Sequence, residues 1–374
     1  MDKRSKNFTI VLFFLALGLW HWGISFLVPI LVISFLIFFH ELGHFLAARQ
    51  MGVTVNTFSI GFGEKIYTKV INGTEYAISA IPLGGYVSMK GQDDADPTVK
   101  NFDPDSYNSL KPLQRIYILF AGPFFNLILA FFIYIALGHI GVEKLAPTIG
   151  TVMENSAAKS ANLLPNDTVL SINGNKIREW EEISKFVTIE PVSLEILRGN
   201  ETLSLILTPK IGNSKTIFGE DIQKPLLGIT PSGELVTIYN KGLSSISFAF
   251  KESVEASKLI IVSLEKLITG VVPAKEIGGI VAITDITSQV ASVSFSALLI
   301  LTALISVNLG IINLFPLPVL DGGHIVFNLY ELIFRKPVSD RVFVGLSYFG
   351  MACLITLMIF TIVNDFLRMA GFYG

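Results

Sequence analysis

Along the chain, apolar runs long enough to cross a bilayer alternate with polar stretches that carry strand and turn chemistry. About 20 consecutive apolar residues span the hydrocarbon core as a helix. Residues 24–39 are apolar almost without interruption and helix continues to about Arg49, which places a first core span at 24–50. Further runs predict a second span in 115–140, a third in 294–334 that ends on an Asp-Gly motif, and a fourth in 342–374. Residues 51–90 change period. Two strand-like runs, 66–71 and 75–81, flank Asn72-Gly73, a strong hairpin signal. Phe58-Ser59-Ile60-Gly61-Phe62-Gly63 reads as a glycine-punctuated loop beside them, and Pro82-Leu83-Gly84-Gly85-Tyr86-Val87 ends the unit.

The polar stretches divide the rest. Residues 91–114 form a solvated loop with Asp93, Asp94, Asp96, Asp103 and Asp105. Residues 146–210 read as a compact α+β unit outside the membrane. It has strands at 149–152 and 169–172, a turn at Asn173-Gly174-Asn175, a short helix at 181–186 and a final hairpin. In that hairpin Val192, Leu194 and Ile196, then Leu203, Leu205 and Leu207, alternate with polar residues. A unit of about 65 residues is small but can fold alone. Residues 211–293 read as linker and amphipathic helix: Ile246, Phe250, Val254, Ile261, Leu264 and Ile268 recur with Lys251, Glu252, Glu255 and Lys258 between them. Residues 335–341 are a short basic loop. Residues 1–23 hold an extra hydrophobic segment, 8–19, behind Lys3, Arg4 and Lys6. It reads either as signal-like, with Ala16-Leu17-Gly18 as a weak small-x-small site, or as a short extra span; the uncleaved reading is preferred.

Composition sharpens the class. Of 374 residues, 51% are hydrophobic and 16% charged, too apolar a balance for an ordinary soluble domain. The formal charge of −2 gives no basic excess to attract nucleic acid. Cys353 is the single cysteine, so no intrachain disulfide and no cysteine-based metal site can form.

The chemistry enters with His40-Glu41-Leu42-Gly43-His44. His40 and His44 are four apart and lie one turn from each other on one helix face. Two imidazoles can therefore reach a single ion, with Glu41 beside the first placed to hold a water there, as in the H-E-x-x-H pattern of zinc metalloproteases. Charged groups in an apolar run are costly and need a reason. A second buried acid, Asp321, follows the helix-breaking Pro316 and Pro318, and a cation at His40 and His44 would offset its cost. Two histidines and one carboxylate are a common catalytic zinc set. His324 is the rival third ligand, and Asp321 is preferred. In the second span, Pro123 permits a kink, Gly122 close helix approach, and Asn126 a hydrogen bond to a neighbour; for Asn126, packing is favoured over catalysis. His21 and His139 read as interfacial.

Charge sets the topology. Lys65, Lys69, Lys90, Lys100, Lys111 and Arg115 precede the second span, and Arg335, Lys336 and Arg341 precede the fourth. The positive-inside rule puts both loops in the cytoplasm and the 146–210 unit on the far side.

His40-Glu41-Leu42-Gly43-His44, Gly61-Phe62-Gly63, Pro82-Leu83-Gly84-Gly85-Tyr86, Gly122-Pro123 with Asn126, and Asn313 through Pro316, Pro318, Leu320, Asp321 and Gly322 occur in the order found in site-2 proteases. From about Phe38 to Val363 the chain resembles the bacterial regulator-of-sigma-E type of intramembrane zinc protease. The resemblance implies zinc on His40, His44 and Asp321, Glu41 as general base, and Asn313 as a substrate-holding residue. It implies a membrane re-entrant sheet around Gly61 and Asn72, and a periplasmic PDZ domain at 146–210 whose groove could take a peptide ligand. It further implies single-span membrane proteins as substrates, cut within the bilayer of a bacterial inner membrane. Asn162 and Asn166 stand where PDZ domains of the family usually have glycine; asparagine tolerates the left-handed backbone such turns require. The rival class is a membrane PDZ scaffold or transporter with a non-proteolytic metal site.

Overall fold

The computed structural model describes residues 16, 18–20, 23–92 and 100–372. His21, most of the hydrophobic segment at 8–19, and Asp93, Asp94 and Asp96 lie outside the described residues.

Helix α1, Leu27–Gln50, follows a 3-10 turn at Gly23–Phe26. It is apolar on all sides, as a bilayer helix is, but buries a single stripe: Leu36, His40, Gly43, His44 and Ala47, spaced by three or four. Strands β1, Val55–Ile71, and β2, Thr74–Met89, then pair antiparallel. Asn72 and Gly73, at φ of 50° and 80°, close the hairpin between Ile71 and Thr74, as an Asn-Gly turn should. The stretch expected to be a loop around Phe58 is strand instead. Thr57 to Ile60 pair on one side with 75–78 and on the other with 85–88, so β1 is central where it was expected to be irregular. The reversal is made at Gly61, φ 91°, where an added Cβ would lie 2.8 Å from the Ile81 carbonyl oxygen. Only glycine fits there. The sheet packs on α1 through Phe58, whose ring lies 5.8 Å from that of Phe38 and 5.3 Å from that of Phe45. Such edge-on aromatic pairs add about 0.5–1.5 kcal/mol each beyond their buried area.

Helix α2, Pro112–Ile140, carries Pro123 in its interior. After it comes a separate compact unit, residues 136–246 with 266–272. Its elements are β3 (Val142–Leu145), β4 (Ile149–Val152), α3 (Ala157–Ser160), β5 (Thr168–Ile172), β6 (Asn175–Lys176), α4 (Trp180–Phe186), β7 (Val192–Arg198), β8 (Glu201–Leu207), β9 (Lys210–Lys215), β10 (Asp221–Leu226), β11 (Ile229–Pro231) and β12 (Leu235–Ile238). The main sheet runs β6-β5-β7-β8, while β4 pairs β11, β3 pairs β12 and β9 pairs β10. The alternation read from the sequence fills the core: Val192, Leu194 and Ile196 are fully buried with Ile149, Val169 and Ile172. Burying a side chain of this size stabilises by about 1.5–3 kcal/mol. Asn162 and Asn166 hold φ of 57° and 69°, the left-handed backbone that glycine would otherwise supply. The unit also extends past residue 210. Residues 210–226 form the β9–β10 hairpin rather than linker, and β11 returns to β4.

Helix α5, Leu243–Ile268, is the expected amphipathic helix. Helix α6, Ile280–Val293, was not expected as an element of its own. Its first amides are capped by the buried Asp365 carboxylate, which accepts from Gly279, Val281 and Ala282 N–H at 3.0–3.2 Å. Helices α7, Phe295–Asn313, α8, Asp321–Phe334, and α9, Asp340–Met369, complete the chain. The third apolar region is thus two helices, broken at Pro316 and Pro318 and restarted at Asp321. Among the described residues, α1, α2, α7 and α9 are long and apolar enough to cross a membrane.

Candidate active site

Helix α1 presents His40 and His44 on its buried stripe, one turn apart as the spacing requires. What seats them is the crossing of α1 with α2. A Cβ on Gly43 would strike the Ala121 carbonyl, and one on Gly122 would strike the His44 ring. Two glycines therefore let the helices approach closely enough for the imidazoles to touch α2. His44 Nδ1 lies 2.8 Å from the Ile118 carbonyl oxygen, one residue before the Leu119 carbonyl that Pro123 leaves without its helical donor.

Asp321 arrives from the far end of the chain. It occupies the first turn of α8, where the helix dipole favours a carboxylate. Gly322 and Gly323 press against the backbone of Leu314, Phe315, Leu317 and Pro318, so the proline loop folds back on its own helix start. Arg115 Nη2 donates to Glu331 Oε1 at 2.7 Å and ties α8 to the start of α2. The outcome is a tight triangle. His40 Nε2 is 3.2 Å from Asp321 Oδ2, His44 Nε2 is 3.4 Å from it, and the two Nε2 atoms are 3.2 Å apart. Tetrahedral zinc with bonds of 2.0–2.1 Å needs ligand atoms about 3.3 Å apart, so the three fit one ion. Among the described residues these are the group placed to hold a metal. His324, the rival, lines the same cavity, but its ring packs on Phe327 and Phe343. His139 is exposed at the end of α2.

The triangle opens on a cavity of about 290 Å³, lined also by Glu41, Asn126, Asn313, Gly85 and Val87. Glu41 lies against the sheet: a Cβ on Gly85 would be 3.3 Å from Glu41 Cγ. Asn313, at the end of α7, has its Nδ2 3.5 Å from His40 Nε2. Among the described residues, 85–88 pair with β1 on one side only, which makes this segment the sheet's edge at the cavity. Sequence reasoning brought Glu41, His40, His44, Asp321 and Asn313 forward, and all five line this one space. It named Gly85 within the Pro82–Tyr86 motif without placing it against Glu41, and it passed over the Ile118 carbonyl. For that carbonyl the available signal was Pro123, five residues after Ile118.

The model of Peptidase family M50 matches residues 28–357. The chain belongs to Peptidase family M50. The resemblance to site-2 proteases is borne out, and this M50 peptidase is a protease. Among its relatives, a Campylobacter jejuni protein named "Putative zinc metalloprotease" is 53% identical over 98% of this chain and 100% of its own length. The Regulator of sigma E protease of Haemophilus influenzae is 32% identical, covering 94% of this chain and 99% of its own. The Regulator of sigma-W protease RasP of Bacillus subtilis is 30% identical, covering 91% and 97%.

Proposed function

We propose that this M50 peptidase is an intramembrane zinc endopeptidase of the bacterial inner membrane that cuts single-span membrane proteins within their apolar segment. One observation carries the proposal: His40 and His44, two corners of the triangle that Asp321 closes from α8, stand on α1, a helix apolar enough to span a bilayer, rather than on a water-exposed element. Two relatives are named as regulators of sigma E and sigma-W; on this reading the substrates are single-span membrane proteins such as anti-sigma factors or leftover signal peptides.

Zinc held by His40, His44 and Asp321 would supply Lewis-acid chemistry, polarising a scissile carbonyl and bringing the pKa of a water to about 7. Glu41 acts as the general base, taking a proton from water and passing it to the leaving amine. Asn313 donates to a substrate carbonyl. A substrate helix hides its amides in internal hydrogen bonds, so it must unwind to be cut. The free edge at 85–88, in a re-entrant sheet beside the cavity, holds the unwound stretch by strand addition. Non-helical backbone at membrane depth is tolerated against protein or a wet cavity. The 146–210 unit, read as a periplasmic PDZ domain, filters or docks the substrate's outer part. The positive-inside rule supports that orientation.

The test is incubation of the purified protein with a single-span substrate, with and without a zinc chelator. Cleavage should stop when the metal is removed and return when zinc is restored. Unchanged cleavage after verified metal removal would overturn the mechanism.

A further inference from the structure

An imidazole can ligate a metal through Nε2 only if its proton sits on Nδ1, and that proton needs an acceptor. His44 has one: Nδ1 lies 2.8 Å from the Ile118 carbonyl oxygen, which cannot donate. Its Nε2 therefore carries the lone pair, as the triangle requires.

At His40 the corresponding neighbour is a side chain. Nδ1 of His40 lies 3.3 Å from Nδ2 of Asn126, while Oδ1 of Asn126 is buried with no hydrogen-bond partner among the described residues. In that arrangement the amide donates to Nδ1 and forces the proton of His40 onto Nε2, the wrong atom for a ligand. A half turn about the Cβ–Cγ bond exchanges the two amide atoms at almost no cost in shape. It places the orphaned Oδ1 on His40 Nδ1–H and frees Nε2 in one step. The side chain is otherwise uncommitted. The α2–α7 contact at this residue uses its backbone carbonyl, which accepts from Ser306 Oγ at 2.7 Å. Asn126 is fully buried and two turns along α2 from Ile118, so one helix serves both histidines from one face.

We propose that Asn126 is a positioning residue for the metal centre, acting through His40: its side-chain oxygen accepts from Nδ1–H and fixes the tautomer whose Nε2 faces the ion. The inference rests on the zinc reading above. Partners of this kind typically change metal affinity by 10–100-fold when removed. An apolar isostere removes the acceptor, whereas aspartate keeps the acceptor and removes the donor.

The experiment measures zinc affinity of the full-length protein in detergent by competition with a fluorescent chelator, for wild type, H40A, N126L and N126D, with the unfolding temperature of each metal-free protein as control. N126L should bind zinc about 10–100-fold more weakly, and N126D should stay within about threefold of wild type. Equal affinity of N126L and wild type overturns the inference while leaving the metal site standing. Equal loss in N126L and N126D assigns Asn126 to packing and also overturns it. If N126L does not fold, N126D decides alone: retained affinity upholds the inference and a loss of tenfold or more contradicts it. A wild type that binds no zinc, or binds it as well as H40A does, overturns the metal site itself.

Discussion

Nε2 of His40 and Oδ2 of Asp321 stand 3.2 Å apart, although one lies on the first apolar helix and the other at the start of α8 near the end of the chain. The pair makes the metal centre depend on the whole span arrangement rather than on the HELGH helix alone. Asp321→Asn keeps the shape and removes the charge. It should reduce bound zinc, read by elemental analysis, and abolish proteolysis with it. Full zinc content in this variant would remove Asp321 from the ligand set.

Gly43 and Gly122 set the distance between α1 and α2. Gly43→Ala puts a methyl against the Ala121 carbonyl, and overpacking of this kind costs about 1–3 kcal/mol. The thermal unfolding midpoint should fall by several degrees, and zinc affinity should fall with it because His44 leaves the Ile118 carbonyl. A stability loss with unchanged zinc affinity would separate the crossing from the site.

Asn313 lies within the cavity but outside the ligand triangle. Removing one donor to a developing oxyanion costs about 10²–10³-fold in kcat. Asn313→Leu should therefore lower kcat on this scale with zinc content unchanged. A change confined to KM would assign it to ground-state binding instead.

The loop after the sheet is pinned by Lys90, whose Nζ lies 2.7 Å from Asp105 Oδ1 and 2.9 Å from Asp103 Oδ2, with Thr54 Oγ1 donating to Asp105 Oδ2 at 2.7 Å. The Lys90 hydrogen bond first, and then Thr54, hold the Asp105 carboxyl below the ordinary carboxylate range. A depressed folded pKa stabilises above the unfolded value of about 3.9 and is lost as pH falls through the folded one. Hydrogen-exchange protection of the Tyr107 amide, which donates to the Lys90 carbonyl, should persist from pH 7 to 5 and decline below about pH 4. Lys90→Met removes the largest cause of that lowered pKa, so protection at pH 7 should fall and the decline on acidification should shrink. An unmoved profile would mean that the loop is held by its backbone bonds alone.

Much of this was legible in the residues. The helix of HELGH, the Asn72-Gly73 hairpin, the alternating strands at 192–207 and the acid that completes the triangle all announce themselves locally, through period, turn chemistry or a charge in the wrong solvent. What was not legible is what depends on distant pairing. Thr57 to Ile60 alternate polar and apolar for only four residues before the glycines at 61 and 63, too short a run to outweigh that loop signal; Gly61 reads as a breaker until Ser79 and Ile81 are known to press on it. Helix α8 opens on Gly322-Gly323, a loop signal, because those glycines pack against the proline loop. Residues 211–226 are too polar to show a period and become strands by pairing with each other. Asn126 was visible as a buried polar residue, but its partner, His40, comes from another helix.

The position of the cut in a single-span substrate bears most directly on the chemistry and the location together. Purified wild type and Glu41→Gln would each be incubated with the same substrate in detergent or liposomes, with product termini read by mass spectrometry and bound zinc measured in parallel. Wild type should give new termini inside the substrate's apolar segment, and Glu41→Gln should give none while retaining its zinc. Termini outside that segment, or the same products from Glu41→Gln, would contradict an intramembrane zinc protease built on His40, His44 and Asp321.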